Sequence, residues 1–91
     1  MPLSKEKKAE IIKEYGKNET DSGSAEVQVA LMSQRIKDLT EHLKVHPKDN
    51  HTRRGLLMLI GKRRRLLGYI KRRNIDDYRA LIKKLGIRDT V

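Results

Sequence analysis

Between Ala25 and Leu43, apolar residues recur at Ala25, Val29, Met32, Ile36, Leu39 and Leu43, in steps of four, three, four, three and four. An α-helix gathers such positions into one stripe, whereas a strand would divide them between its two faces. The stripe is a seam for packing against another helix, so the rest of the chain must supply helices to cover it. A sheet would be poorly provided for, because Tyr is the only aromatic residue and the core must come from Leu, Ile, Val, Met and Ala. The expected fold is all-α.

Local signals divide the chain into four helices. Ser4 can cap a first helix in which Ala9 and Ile12, and Ile11 and Tyr15, share faces, and Gly16 is a natural stop. Lys17 to Gly23 reads as a loop, and Ser24 can cap the seam helix. His46-Pro47-Lys48-Asp49 interrupts the pattern because Pro47 disfavours helical geometry in the residue before it. Asp49 can cap a third helix from Asn50 to Arg73, and the short interruption predicts an antiparallel hairpin. In this third helix Leu56, Leu59, Ile60, Leu66, Leu67 and Ile70 form the expected apolar arc. Gly55, Gly61 and Gly68 weaken the helix relative to Ala, which calls for compensating packing or a close backbone approach. Asn74 can cap a fourth helix with the stripe Ile75, Tyr78, Leu81, Ile82 and Leu85, ended by Gly86. Tyr15 and Tyr78 fall within apolar stripes and read as core. Residues 1–91 are expected to form a single domain.

The charge is unevenly placed. Residues 1–49 carry nine Lys/Arg against nine Asp/Glu, and residues 50–91 carry thirteen against three. Between Asn50 and Ile75 there is no acid at all beside Arg53, Arg54, Lys62, Arg63, Arg64, Arg65, Lys71, Arg72 and Arg73. A merely solvated helix face normally offsets its cations with acids one turn away. Nine unopposed cations call for an anionic partner, and a polyphosphate backbone suits their spread over several turns. Arg63 differs, because it falls inside the apolar arc; its stem is expected to pack and its head to pair with an acid of a neighbouring helix.

Gln28, Arg35 and His42 stand seven apart on the second helix, hence on one face at intervals of about 10.5 Å. These side chains can bond to sugar hydroxyls, phosphates and base edges, so the row reads either as a contact ledge or as a solvated flank. Tyr69, away from the main arc, reads either as a stacking platform or as a partly buried core residue.

Other chemistries find little support. No glycine-rich phosphate loop, nucleophile elbow or carboxylate pair is visible, so neither an enzyme nor a cofactor is expected. His42, His46 and His51 near Asp49 have the residue types of a metal site, but Pro47 breaks the helix that would align them, and no metal is expected. The longest apolar run is Leu56–Ile60, far short of a membrane span, and the lack of Cys fits a reducing compartment. A soluble cytoplasmic protein is expected, without a membrane partner.

Four stretches resemble a known family. Asp21-Ser22-Gly23-Ser24-Ala25-Glu26-Val27-Gln28-Val29-Ala30, Leu39-Thr40-Glu41-His42-Leu43, Lys48-Asp49-Asn50-His51-Thr52-Arg53-Arg54-Gly55-Leu56 and Arg64-Arg65-Leu66-Leu67-Gly68-Tyr69 are similar, in order and spacing, to the bacterial small-subunit ribosomal protein S-fifteen family. The resemblance covers essentially the whole chain. It implies three helices packed as an antiparallel bundle, a first helix free to move, and binding to small-subunit ribosomal RNA on the ribosome. It further implies one RNA site at a three-way junction, matching Ser22, Gly23, Gln28, Arg35 and Tyr69. A second, at a G·U/G·C element of a neighbouring helix, matches His42, Asp49 and Thr52. Arg53, Arg54, Lys62, Arg64, Arg65, Lys71 and Arg72 would then hold the phosphate backbone. Implied partners are neighbouring platform proteins, the large subunit at the interface and, in some members, the protein's own messenger RNA. The chain departs from the family's habit at Ser22, Asn50 and Thr52, where Thr, His and Ser are usual; Ser22 and Thr52 keep a hydroxyl. The competing reading is a helix-turn-helix-like DNA-binding module, which the length of the third helix disfavours.

Overall fold

The computed structural model describes residues 4–16 and 24–87. These form four helices, α1 (Lys5–Tyr15), α2 (Ala25–Val45), α3 (Asn50–Arg73) and α4 (Ile75–Leu85), with no strand among the described residues. Each helix begins where a side chain can accept from free amides. Ser4 Oγ accepts from Lys7 N at 3.1 Å and Ser24 Oγ from Val27 N at 3.3 Å. Asp49 Oδ1 accepts from Thr52 N at 3.1 Å, and Asn74 Oδ1 from both Asp76 N and Asp77 N. These caps satisfy donors that the first turn cannot pair internally. α4 ends at Gly86, whose φ of 68° is left-handed and open to Gly at little steric penalty. The loop expected over Lys17 to Gly23 lies outside the described residues.

α2 is the helix against which the other three pack. Its seam meets α3 and α4 in a core of Val29, Leu67, Ile70, Tyr78 and Leu81, with Tyr15, Ala25, Leu66, Ile82 and Leu85 packed around it. Val27 and Ala30 are also buried although they lie off the seam, and so is Ile11 of α1, which packs on α2. α2 is therefore covered on two sides.

Three expectations fail in detail. Ile60 and Ile75, assigned to apolar stripes, are 38% and 39% exposed. Both sit at the margin of their stripes, and a narrow three-helix contact leaves such margins uncovered. Arg63 is half-buried as expected, but its guanidinium donates to the Ser33 hydroxyl at 3.2 Å rather than to an acid. Its pKa is lowered by the desolvation that accompanies this partial burial. Among the three α3 glycines, Gly68 is buried, but a Cβ added at Gly55 or Gly61 would meet no atom within 4 Å. Close approach within the protein therefore does not explain those two.

α1 is tied to the far end of the chain. Lys84 Nζ donates to the Glu14 carbonyl at 2.8 Å and stands 4.3 Å from the centre of the Tyr15 ring. That carbonyl lies in the last turn of α1, where it has no partner inside the helix, so the ammonium completes the helix end.

Candidate nucleic-acid interface

α2 carries Gln28, Arg35 and His42 on one face; Arg35 is exposed and the other two are half-buried. Around α3, at 100° per residue, Gly55, Met58, Lys62, Arg65 and Tyr69 fall within about 80° of one another. They occupy the flank beside that row, because Gly55, Met58 and Lys62 line a shared groove with Arg35. Arg53, Arg64 and Lys71 fall within about 20° of one another on the opposite flank. Lys62 and Arg65 thus stand on the flank beside the row, and Arg53, Arg64 and Lys71 on the one away from it.

Several cations also do work inside the protein. Arg53 donates to the Pro47 carbonyl at 2.6 Å and so braces the hairpin turn. Lys71 is half-buried with its ammonium 5.3 Å from the centre of the Tyr78 ring. Arg54, Lys62, Arg64, Arg65 and Arg72 are exposed, and among the described residues no acid lies within 4.0 Å of them. Unpaired cations leave their charge available to a polyanion.

Tyr69 is 49% exposed, with the Arg73 guanidinium carbon 5.7 Å from its ring centre. Arg73 bonds to Glu26 of α2 and lies 3.8 Å from Asp77 of α4. Glu26 first, and then Tyr69, raise the pKa of Arg73. The arginine therefore joins three helices and backs the tyrosine ring. Sequence reasoning missed this link, and with Glu26 and Arg73 separated by 47 positions no local pattern announces it.

At the hairpin end, Asp49 gathers three bonds. Oδ1 accepts from Thr52 N at 3.1 Å, and Oδ2 accepts from Thr52 Oγ1 at 2.6 Å and meets His42 Nε2 at 2.8 Å. The Thr52 hydroxyl and amide, then His42, hold the carboxyl well below the usual carboxylate range. An ionised carboxylate accepts only, so His42 Nε2 carries the hydrogen of this bond. The His46 ring lies 4.8 Å from that of His42. His42, Asp49 and Thr52 are thus one bonded unit, whereas Ser22 and Gly23 lie outside the described residues.

Among the described residues no group of three or more His, Asp or Glu is placed to hold a metal ion. No helix among them is long and apolar enough to cross a membrane. A family model described as Ribosomal protein S15 matches residues 8–88. The chain belongs to that family. Small ribosomal subunit protein uS15 of Micrococcus luteus is 59% identical over 88 residues, covering 97% of this chain and 99% of the relative. The uS15 proteins of Mycobacterium bovis and Rhodococcus jostii are 57% and 56% identical with the same coverage. The S-fifteen family consists of structural proteins of the small ribosomal subunit, so the chain is a ribosomal protein and not an enzyme. Binding to ribosomal RNA is general to the family and gives the unpaired cations of α3 their class of partner.

Proposed function

We propose that the chain recognises two neighbouring features of small-subunit ribosomal RNA and holds them in one relative arrangement. Gln28, Arg35 and Tyr69, with Ser22 and Gly23, take the three-way junction. His42, Asp49 and Thr52 take the G·U/G·C element of the adjacent helix. Arg53, Arg54, Lys62, Arg64, Arg65, Lys71 and Arg72 supply sequence-independent attraction to phosphates.

What supports this reading is that Gln28 and Arg35 of the first set and His42 of the second share one face of α2. Gln28 and His42 stand about 21 Å apart on α2, and Tyr69 and Arg65 share a face of α3 with Gly55, Met58 and Lys62, which line a groove with Arg35. A rigid ruler of this kind stabilises only those RNA conformers that present the junction and the neighbouring helix at matching separation. Each end has its own chemistry. Tyr69, backed by Arg73, offers a ring for a ribose or an unstacked base. At the other end, Asp49 has about four lone-pair sites and spends three within the protein, which leaves one for a guanine amine or a 2′-hydroxyl. The Thr52 oxygen remains as an acceptor beside it. Two acceptors suit the minor groove of an RNA helix, where guanine N2 and ribose hydroxyls are the donors.

On the ribosome this activity organises the platform of the small subunit early in assembly, in the cytoplasm, beside neighbouring platform proteins and close to the large-subunit interface. The same two-part recognition would let the protein bind its own messenger RNA where that message folds into a similar shape.

Equilibrium titrations with a three-way-junction RNA, its unbranched counterpart and duplex DNA, over a salt series, test the reading. The junction RNA should bind about tenfold or more tightly than the others at physiological salt, and Gln28→Ala or His42→Ala should narrow that gap. Equal affinity for all three would leave a general polyanion binder and end the proposal.

A further inference from the structure

Gly55 lies in the interior of a 24-residue helix, where Gly lowers helix stability relative to Ala. Such a residue usually persists because something packs close to the backbone. Nothing in the protein does so: a Cβ at this position meets no atom within 4 Å. The space it would enter belongs to an open groove of about 200 Å³ between α2 and α3. Its floor includes Leu39 and Leu59, Met58 stands 59% exposed at its edge, and its two cations are Arg35 and Lys62. Among the described residues, neither cation has an acid within 4.0 Å.

We propose that this notch seats one ribose–phosphate unit of the bound RNA, with the phosphate between Arg35 and Lys62 and the ribose against the bare backbone at Gly55. The inference rests on the RNA reading above and makes Gly55 a specificity residue that acts by what it lacks. Arg35 is the member of the junction set nearest His42 on this row, about 10.5 Å from it, so a strand that leaves the junction for the second site crosses the groove. A sugar–phosphate unit matches its contents, because ribose carbons tolerate Met58 and the leucines while the phosphate meets both cations. An acidic peptide would satisfy the cations, but a carboxylate side chain needs no missing Cβ to reach them.

Gly55→Ala separates fold from function, since the two should move in opposite directions. The added methyl enters empty space and improves helix propensity, so Tm should rise by about 2–8 °C. Affinity for the three-way-junction RNA should fall about fivefold or more, because the methyl occupies the ribose seat. Gly61→Ala, also a substitution into open space but outside this groove, should give a similar rise in Tm with less than about a twofold loss of affinity. Unchanged RNA affinity in Gly55→Ala, or equal losses in the two variants, would overturn the notch while leaving the RNA reading intact. A lower Tm in Gly55→Ala would also overturn it, by showing that the fold itself needs the glycine. Failure of the unaltered protein to bind RNA would overturn both. Binding of polyglutamate that is lost in Gly55→Ala while RNA affinity stays unchanged would assign the notch to acidic peptides.

Discussion

Replacing Arg65 by Ala removes one cation from the flank of α3 that Tyr69 shares, without disturbing the core. Arg65 is exposed and has no acidic partner within 4.0 Å among the described residues, so its whole charge is available to a phosphate. Ala is at least as good a helix former, and the stability change should stay within about 0.5 kcal/mol. One lost phosphate contact lowers the slope of log affinity against log salt by about 0.7–0.9. Between 50 and 200 mM salt, a fourfold change, the deficit of the variant should therefore shrink about threefold. The deficit should be similar for junction RNA, unbranched RNA and duplex DNA, since phosphates carry no sequence information. Arg64→Ala is the comparator, because it removes an equally exposed cation from the opposite flank. Arg64 also attracts phosphates, but from the flank away from the Gln28–Arg35–His42 row, so its slope change should be smaller. Equal slope changes in the two variants would refute the division of α3 into two flanks. An unchanged slope in Arg65→Ala would refute its contact with phosphate, and loss of junction preference at an unchanged slope would make it a reader of shape.

The bundle and the hairpin cap give two further outcomes. Ile70 is fully buried where α2, α3 and α4 meet, so Ile70→Ala should cost about 2–5 kcal/mol in urea unfolding. A cost below about 1 kcal/mol would mean that the three helices do not share one close-packed core. The Asp49 carboxyl titrates lower in the folded protein than in the unfolded chain, so its ionised form stabilises the fold above the ordinary carboxylate range. That contribution is lost as pH falls through the folded value, and Asp49→Asn should flatten the decline in urea midpoint from about pH 4 downward. Identical acid limbs would contradict the three-bond cluster.

Much of the fold was legible because its signals are local. Ser4, Ser24, Asp49 and Asn74 each cap a helix from side chains no more than three residues from the amides they accept. Gly86 ends α4 in a conformation that β-carbons resist. The seam of α2 announced its partner helices by period alone. The details that failed were long-range. Arg63 was expected to meet an acid because cations usually do, yet the residue within reach across the α2–α3 contact is Ser33. Ile60 and Ile75 were counted with the core because hydropathy does not record how wide a neighbouring helix is. The site divided similarly. Gln28, Arg35 and His42 could be placed on one face from their spacing, and Asp49 could be recognised as a cap. The bond from His42 to Asp49 crosses a helix break, and a periodic pattern does not carry across a break.

By itself, then, the sequence determined four helices, their ends, the surplus of cations in the second half and the family. These depend on dihedral preference, amide satisfaction, period and composition, all of which act within a turn or two or are simple sums. Tertiary structure decided which cations stand beside the Gln28–Arg35–His42 row and which are spent on Pro47 or Tyr78. It also brought Arg73 to Glu26 and left the space beside Gly55 empty. Those outcomes depend on how far two helices rotate about their own axes when their apolar seams meet, and that rotation is a property of the packed pair.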